Sequence, residues 1–229
     1  MLIIQMWCLN KDYHNTYLNC GGIEVLTKLK EKVQLWLVGE AKIAHSLGLT
    51  PNSVSVIGII FALLSAISYW QWEVLPTLLL IFAPLFLLVS GFCDALDGIL
   101  ARCFSEATTF GGFLDSLLDR YTDAMVYVGI ILGGLSDVYW GLLALIGSLL
   151  VSYCRARAEA AGVKMETVGL MERAERIMIL VVASFLTLVW KEALQWGIIL
   201  LAVLTNLTVF QRVIYFRKAS QKEPLIGVV

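Results

Sequence analysis

The sequence predicts an all-α integral membrane protein with six transmembrane helices and an N-terminal amphipathic helix at the membrane interface. Of its 229 residues, 59% are hydrophobic and 15% are charged, and the mean hydropathy is +0.81. This composition excludes an ordinary soluble domain. Most of the chain also divides into six apolar stretches of about 20 residues, the length that crosses a bilayer as a helix. They lie near residues 52–70, 76–99, 112–134, 138–156, 174–190 and 194–214.

Two segments precede the first span, and a short tail follows the last. Residues 1–22 form a leader of no clear pattern, and no basic residue precedes its apolar start, which argues against a secretory signal. Residues 23–47 predict an amphipathic helix lying in the membrane interface, with a helix packed on a soluble partner as the alternative. Its apolar positions at helical spacing are Leu26, Leu29, Val33, Leu37 and Ala41. Residues 48–216 would form the six-helix domain, and residues 217–229 a cytoplasmic tail.

The distribution of lysine and arginine predicts the orientation in the membrane. The loops after spans one, three and five, "WQWEVLP", "GLSDVYW" and "WKEALQW", hold only Lys191 of the 17 basic residues. By the positive-inside rule, both termini and the loop after span two face the cytoplasm of a multi-pass protein in the cell membrane. Tryptophans flank the three poorly charged loops, as expected of an interfacial aromatic belt. The net charge of −1 offers no basic field for nucleic acid.

Four aspartates interrupt the apolar pattern where spans two and three meet the cytoplasm. At 100° per residue, one face of span two carries Asp94, Asp97, Gly98, Ala101 and Arg102. One face of span three carries Gly111, Asp115 and Asp119, which are spaced four residues apart. Residues 103–112 are enough for a tight turn between antiparallel helices, so the two acidic faces can meet.

Clustered carboxylates at this position predict a metal site. Four like charges would repel one another strongly unless a cation lay between them. Ligands that are all oxygen select hard cations such as Mg²⁺, Mn²⁺ or Ca²⁺, and the two faces carry no His or Cys for zinc. Four acids suit two ions that bridge a substrate diphosphate. Arg102 would clamp phosphate, and the helix start at Gly111 and Gly112 would favour anions. Asp123, one turn further on, is expected to be an interfacial charge.

The acidic segment fits the pattern D-x2-D-G-x2-A-R-x8-G-x3-D-x3-D at every fixed position, from Asp94 to Asp119. This pattern resembles the signature of the CDP-alcohol phosphotransferases, and the resemblance covers residues 25–216. It implies a homodimer of six-helix chains with two Mg²⁺ or Mn²⁺ ions. The implied metal ligands are Asp94, Asp97, Asp115 and Asp119, and Asp119 is also the implied base. The implied contacts to the CDP group are Asn52, Gly98, Ala101, Arg102 and Gly111.

A second set of charges lies near the cytoplasmic ends of spans four, five and six. Several arginines at that depth suit a phosphorylated, water-soluble acceptor. Lys164 and Arg176 are expected to be ordinary positive-inside charges. The stretches "SYCRARAE", "ERAER" and "QR" resemble the inositol-phosphate-using branch of the same family. That resemblance implies an acceptor phosphate held by Arg155, Arg173 and Arg212.

These observations predict an enzyme of phospholipid biosynthesis. It would move the phosphatidyl or archaetidyl group of a CDP-activated lipid to myo-inositol 1-phosphate and release CMP. Glycerol 3-phosphate is the alternative acceptor. A cation transporter is an alternative of another class, because acids in membranes often mark ion paths, although such sites usually lie near the midplane. A prenyltransferase is a third possibility, but it would normally carry its acidic motifs in separate halves of the chain.

Overall fold

The computed structural model describes residues 37–165 and 168–222, and this part of the chain is all-helical. Helix α1 comprises the helical residues 37–46. The further helices are α2 (Pro51–Trp70), α3 (Pro76–Cys103), α4 (Thr109–Leu132), α5 (Val138–Ala160), α6 (Arg173–Thr187) and α7 (Ala193–Lys222). The predicted leader, residues 23–36 of the predicted amphipathic helix and residues 223–229 of the predicted tail lie outside the described residues. Residues 217–222 of that tail continue α7.

Four of the described helices, α2, α3, α5 and α7, are long and apolar enough to cross a membrane. The chain is therefore a multi-pass helical membrane protein. Helix α4 is long enough, but it carries four charged residues, Asp115, Asp119, Arg120 and Asp123. Helix α6 has 15 residues and so extends about 22 Å, less than the ~30 Å of a hydrocarbon core. Each predicted stretch nevertheless corresponds to one helix, with similar limits.

Local signals explain where several helices begin. Helices α2 and α3 start at Pro51 and Pro76, and proline suits a first helical turn because its ring fixes φ and it has no N–H to satisfy. Thr50 precedes α2, and its hydroxyl accepts a hydrogen bond from the backbone N–H of Ser53 at 3.3 Å. Asp137 caps α5 in the same way, through the N–H of Tyr139 at 2.9 Å. These caps satisfy amides that have no partner within their own helix.

The described chain divides into two compact units, whose boundaries fall within α2, α3 and α4. The first comprises residues 37–58 and 92–118. Its buried core contains Leu37, Ala41, Ala44, Val54, Cys93, Leu96, Ile99 and Leu100. Leu37 and Ala41, predicted to face the membrane interface, are thus buried by the protein itself. Of the apolar residues around the end of α1, Ile43 and Leu47 remain exposed.

The second unit comprises residues 59–91 and 119–222. Its core is a cluster of buried apolar side chains that includes Leu80, Leu87, Val126, Ile130, Leu180, Leu194, Ile198 and Leu201. The hydroxyls of two buried tyrosines form hydrogen bonds with serines on other helices. Tyr69 is paired with Ser184 at 2.7 Å, and Tyr127 accepts from Ser148 at 3.1 Å. Such pairing matters where no water is available. Gly129 lies directly on the backbone of Ala66, an approach that a side chain would block.

Candidate active site

Three of the four predicted metal ligands, from the last third of α3 and the first half of α4, come together. One carboxylate oxygen from each of Asp94, Asp115 and Asp119 lies within 4.8 Å of the others. Asp115 and Asp119 are one turn apart on the continuous helix α4, as their spacing predicted. All three side chains are partly exposed. Three close carboxylates form a hard oxygen donor set, which fits a divalent cation such as Mg²⁺ or Mn²⁺.

Asp97, the fourth predicted ligand, lies outside this group of three. Its side chain is buried, with 5% of the residue exposed, and it accepts a hydrogen bond from the hydroxyl of Ser55 on α2. It remains close enough to Asp94 and Asp115 for their charges to act on it. Ser55 was not among the predicted site residues. The available signal was a further polar side chain, three residues after Asn52, at the start of an apolar span.

Gly98 and Gly111, both predicted to contact CDP, each lie beside another predicted CDP-binding residue. A Cβ on Gly98 would lie 3.4 Å from Nη1 of Arg102, so the guanidinium folds back over Gly98. Ala101, on the same turn of α3, is partly buried. A Cβ on Gly111 would lie 3.4 Å from Oδ1 of Asn52, whose side chain comes from the start of α2. The predicted residues therefore form two small groups, one on α3 and one where α2 meets α4.

The start of α4 differs from the prediction in one respect. The helix begins at Thr109, and the Thr108 hydroxyl accepts a hydrogen bond from the backbone N–H of Gly111 at 2.9 Å. The N–H of Gly112 is bonded to the carbonyl of Thr108. Of the two glycine amides that were expected to favour an anion, that of Gly111 therefore caps the helix and that of Gly112 makes a backbone bond of the first helical turn.

Arg173 is the first residue of α6, and it lies beside the predicted base. Its Nη1 atom is 2.5 Å from Oδ1 of Asp119, and its Nε atom is 3.7 Å from Oδ1 of Asp123. Both contacts are ion pairs between the Arg173 guanidinium and a carboxylate of α4. The structure thus places a predicted acceptor-binding arginine against the carboxylate that was predicted to take a proton.

The expectation that Arg176 is an ordinary surface charge is wrong. The residue is 3% exposed, and its Nη2 atom donates to Oδ2 of Asp123 at 2.7 Å. Asp123, expected to be an interfacial charge, is likewise mostly buried, with 11% of its side chain exposed. The spacing held a signal for this pair. Acids four residues apart on α4 face arginines three residues apart on α6, and both spacings keep side chains on one helix face.

Arg212 and Arg155 have partners of their own. Arg212 is buried and donates to the backbone carbonyls of Val168 at 2.8 Å and Val151 at 2.5 Å. It therefore ties the segment before α6 to α5. Arg155 is partly exposed and donates to Glu159, one turn along α5, at 2.9 Å. Its charge acts on Arg212. The three predicted acceptor arginines are thus each engaged by a different group.

A helical membrane protein with clustered carboxylates at two helix ends, and an arginine against one of them, has the features of a membrane enzyme for phosphate-containing substrates. The family comparison gives the particular class. The sequence model described as CDP-alcohol phosphatidyltransferase matches residues 48–208. The chain belongs to this family, and it is accordingly a transferase. Family membership also displaces the cation-transporter and prenyltransferase alternatives.

Two archaeal relatives are similar over most of the chain. The archaetidylinositol phosphate synthase of Pyrococcus horikoshii is 42% identical over 197 residues, which cover 85% of this chain and 97% of that protein. The archaetidylinositol phosphate synthase of Methanothermobacter thermautotrophicus is 40% identical over 174 residues, covering 76% and 86%.

Solved structures show the same fold. The phosphatidylinositol phosphate synthase of Mycobacterium tuberculosis with CDP-DAG bound aligns with a TM-score of 0.68 and 29% identity, covering 79% of this chain and 92% of that one. The same protein in complex with manganese and citrate aligns with a TM-score of 0.68 and 29% identity, covering 79% and 88%. The acidic cluster and this manganese complex agree with divalent-metal dependence in the family.

Proposed function

We propose that this enzyme transfers the phospho-lipid group of a CDP-activated lipid to myo-inositol 1-phosphate and releases CMP. The names of its relatives support an inositol phosphate acceptor. The CDP-DAG bound to the mycobacterial protein supports a CDP-lipid donor. The two archaeal relatives also favour an archaeol-based lipid over one based on diacylglycerol.

The contact between Arg173 and Asp119, at 2.5 Å, carries the acceptor assignment. A guanidinium can hold a phosphate through two parallel hydrogen bonds, and a carboxylate can take the proton of a hydroxyl. A small polyol phosphate carries both a phosphate for the guanidinium and a hydroxyl for the carboxylate. An arginine beside the base could therefore hold the phosphate while the hydroxyl is presented to Asp119. Arg155 would contribute further positive charge, and Arg212 would hold the segment that leads into α6.

The reaction needs one proton transfer and one displacement at phosphorus. Asp119 takes the proton of the acceptor hydroxyl, whose oxygen forms a bond to the lipid-bearing phosphorus. The bond from that phosphorus to the bridging oxygen of the diphosphate breaks, and CMP leaves with that oxygen. Arg102 over Gly98, together with Ala101, would hold the diphosphate, and Asn52 beside Gly111 the rest of the CDP group.

Two Mg²⁺ or Mn²⁺ ions complete the proposed site. Asp94, Asp97, Asp115 and Asp119 would hold them, with Asp97 oriented by Ser55. When bound, the ions would neutralise charge on the diphosphate.

The proposal also includes the arrangement in the membrane. All six helices α2–α7 would cross the cell membrane, with both termini and the active site cytoplasmic. The distribution of lysine and arginine supports this orientation. Residues 23–47 would lie along the interface, and residues 217–229 would form a cytoplasmic tail. The homodimer rests on the family resemblance alone.

The test is CMP release from CDP-archaeol and from CDP-diacylglycerol by the purified protein with Mg²⁺ or Mn²⁺. The acceptors compared are myo-inositol 1-phosphate, free inositol, glycerol 3-phosphate and serine. We expect release with myo-inositol 1-phosphate and little with free inositol, which lacks the phosphate. Release with glycerol 3-phosphate instead would keep the class and overturn the acceptor assignment. Faster release with free inositol would contradict the role of Arg173.

A further inference from the structure

Behind Asp119 lies a row of four charges that alternate in sign: Asp119, Arg173, Asp123 and Arg176. Each member is within 4 Å of the next, at 2.5, 3.7 and 2.7 Å along the row. The two acids lie one turn apart on α4, and the two arginines lie three residues apart on α6. Both helix segments belong to the second unit.

The row becomes more buried away from Asp119. About a quarter of the Asp119 side chain is exposed, against 11% for Asp123 and 3% for Arg176. Isolated buried charges are costly, so this buried pair persists because each partner compensates the other. Around it, the charges of Asp123 and Arg176 also act on the buried hydroxyl of Tyr127, which bonds to Ser148. The inner pair is thus enclosed by protein, whereas the outer pair is partly exposed.

We propose that Asp123 and Arg176 are positioning residues for the acceptor site. Asp123 attracts the Nε side of Arg173 and so aims its Nη1 atom towards Asp119. Arg176 holds Asp123 in place through the 2.7 Å hydrogen bond. Neither residue needs to touch a substrate. This inference rests on the proposed function, because it assumes that Arg173 serves the phosphorylated acceptor.

A double-mutant cycle tests the row. Asp123→Asn, Arg176→Gln and the double variant are compared with the wild type by measuring KM for each substrate. Groups that orient metal ligands typically contribute roughly 10- to 100-fold, and we take the same range for Asp123 and Arg176. We expect acceptor KM to rise about tenfold or more in each single variant, while CDP-lipid KM stays within about twofold. Because Arg176 acts through Asp123, the acceptor KM of the double variant should be no higher than that of the worse single variant.

Two further variants separate positioning from a general loss of folding. Glu175→Gln removes an exposed acid from the same turn of α6 and should leave both KM values unchanged. Arg176→Lys keeps a positive charge facing Asp123, so its acceptor KM should fall between those of the wild type and Arg176→Gln. Three outcomes would each overturn the proposal. The acceptor KM could rise equally in Arg176→Lys and Arg176→Gln, or the effects of the two single variants on it could add in the double variant. The KM of both substrates could also rise equally.

A structural readout keeps this test independent of the proposed reaction. In an experimental structure of Asp123→Asn, the Arg173 guanidinium should leave hydrogen-bonding distance of Asp119. If it stays there, the positioning role is overturned whatever the acceptor is. If the wild type uses no phosphorylated acceptor but the guanidinium does move, the proposed function fails while the orientation of Arg173 by Asp123 stands.

Discussion

Two charged regions of the molecule differ in how their charges are compensated. The first is the acidic cluster of α3 and α4, and the second is the row of alternating charges from Asp119 to Arg176. Asp94, Asp115 and Asp119 bring three negative groups within 4.8 Å and stay partly exposed. The row alternates acids with arginines, and its inner pair is buried. Like charges held together need an external cation, whereas alternating charges need none. These arrangements support the proposal that the first region binds a cation, whereas the ion pairs of the second region hold its own side chains in place.

The largest effect is expected where the two regions meet. Asp119→Asn keeps the shape of the side chain but removes its charge, so it can neither take a proton nor bind a cation well. General-base catalysis typically contributes about 10²- to 10⁴-fold, and we expect kcat to fall by at least this range. Asp137→Asn is the matched control, since asparagine caps α5 equally well. Activity of Asp119→Asn within tenfold of the wild type would rule out the base role.

Removing Arg173 should affect one substrate more than the other. Hydrogen bonds to charged groups contribute about 1.5–3 kcal/mol, so Arg173→Gln should raise acceptor KM by roughly 10- to 100-fold. CDP-lipid KM should change little. Arg157→Gln, which removes an exposed positive charge from α5, is the control and should leave both constants unchanged. A rise in CDP-lipid KM as large as that for the acceptor would show that Arg173 is not acceptor-specific.

Ser55→Ala should give a smaller loss within the acidic region. It removes the hydroxyl that orients the buried carboxylate of Asp97. Supporting partners of metal ligands typically contribute roughly 10- to 100-fold, and we expect kcat to fall about tenfold. Ser53→Ala removes an exposed hydroxyl two residues earlier and serves as the control. Unchanged activity in Ser55→Ala, assayed over a range of Mn²⁺ concentrations, would mean that Asp97 needs no orientation.

The smallest effect should come from the cap of α4. Thr108→Ala removes the acceptor for the N–H of Gly111 and should lower the free energy of unfolding by about 1 kcal/mol. Thermal unfolding in detergent measures this, and Thr108→Ser, which keeps the hydroxyl, should unfold near the wild-type temperature. A Thr108→Ala variant as stable as Thr108→Ser would show that the cap contributes nothing.

The sequence predicts features that depend on one helix more completely than those that depend on contacts between helices. Helical spacing puts Asp115 and Asp119 on one face, and Pro51 and Pro76 mark helix starts. The polar side chain of Ser55 is visible in the sequence, but its pairing with Asp97, 42 residues away, depends on how α2 and α3 pack. The spacing of acids on α4 matches that of arginines on α6, but the burial of Arg176 against Asp123 follows from the packing of the two helices.

Arg212 is a second arginine whose contacts could not be predicted from the sequence. The resemblance predicts that Arg212 binds the acceptor phosphate, whereas the burial of this arginine and its bonds to two backbone carbonyls follow from tertiary packing. The family signature likewise identified the enzyme class. It gave no sign that Asp97 would lie apart from the other three aspartates, which depends on a hydroxyl from α2.

Direct binding of Mn²⁺ most clearly tests the proposal that the aspartates hold the metal while Arg173 serves the acceptor, because the measurement requires no turnover of substrate. Electron paramagnetic resonance would measure Mn²⁺ affinity in the wild type, Asp94→Asn and Arg173→Gln. We predict at least tenfold weaker binding in Asp94→Asn, because a ligand is lost. Binding in Arg173→Gln should be unchanged or tighter, since a competing positive charge leaves Asp119. Wild-type affinity in Asp94→Asn, or equal weakening in both variants, would contradict the assignment of metal to the aspartates and acceptor to the arginine.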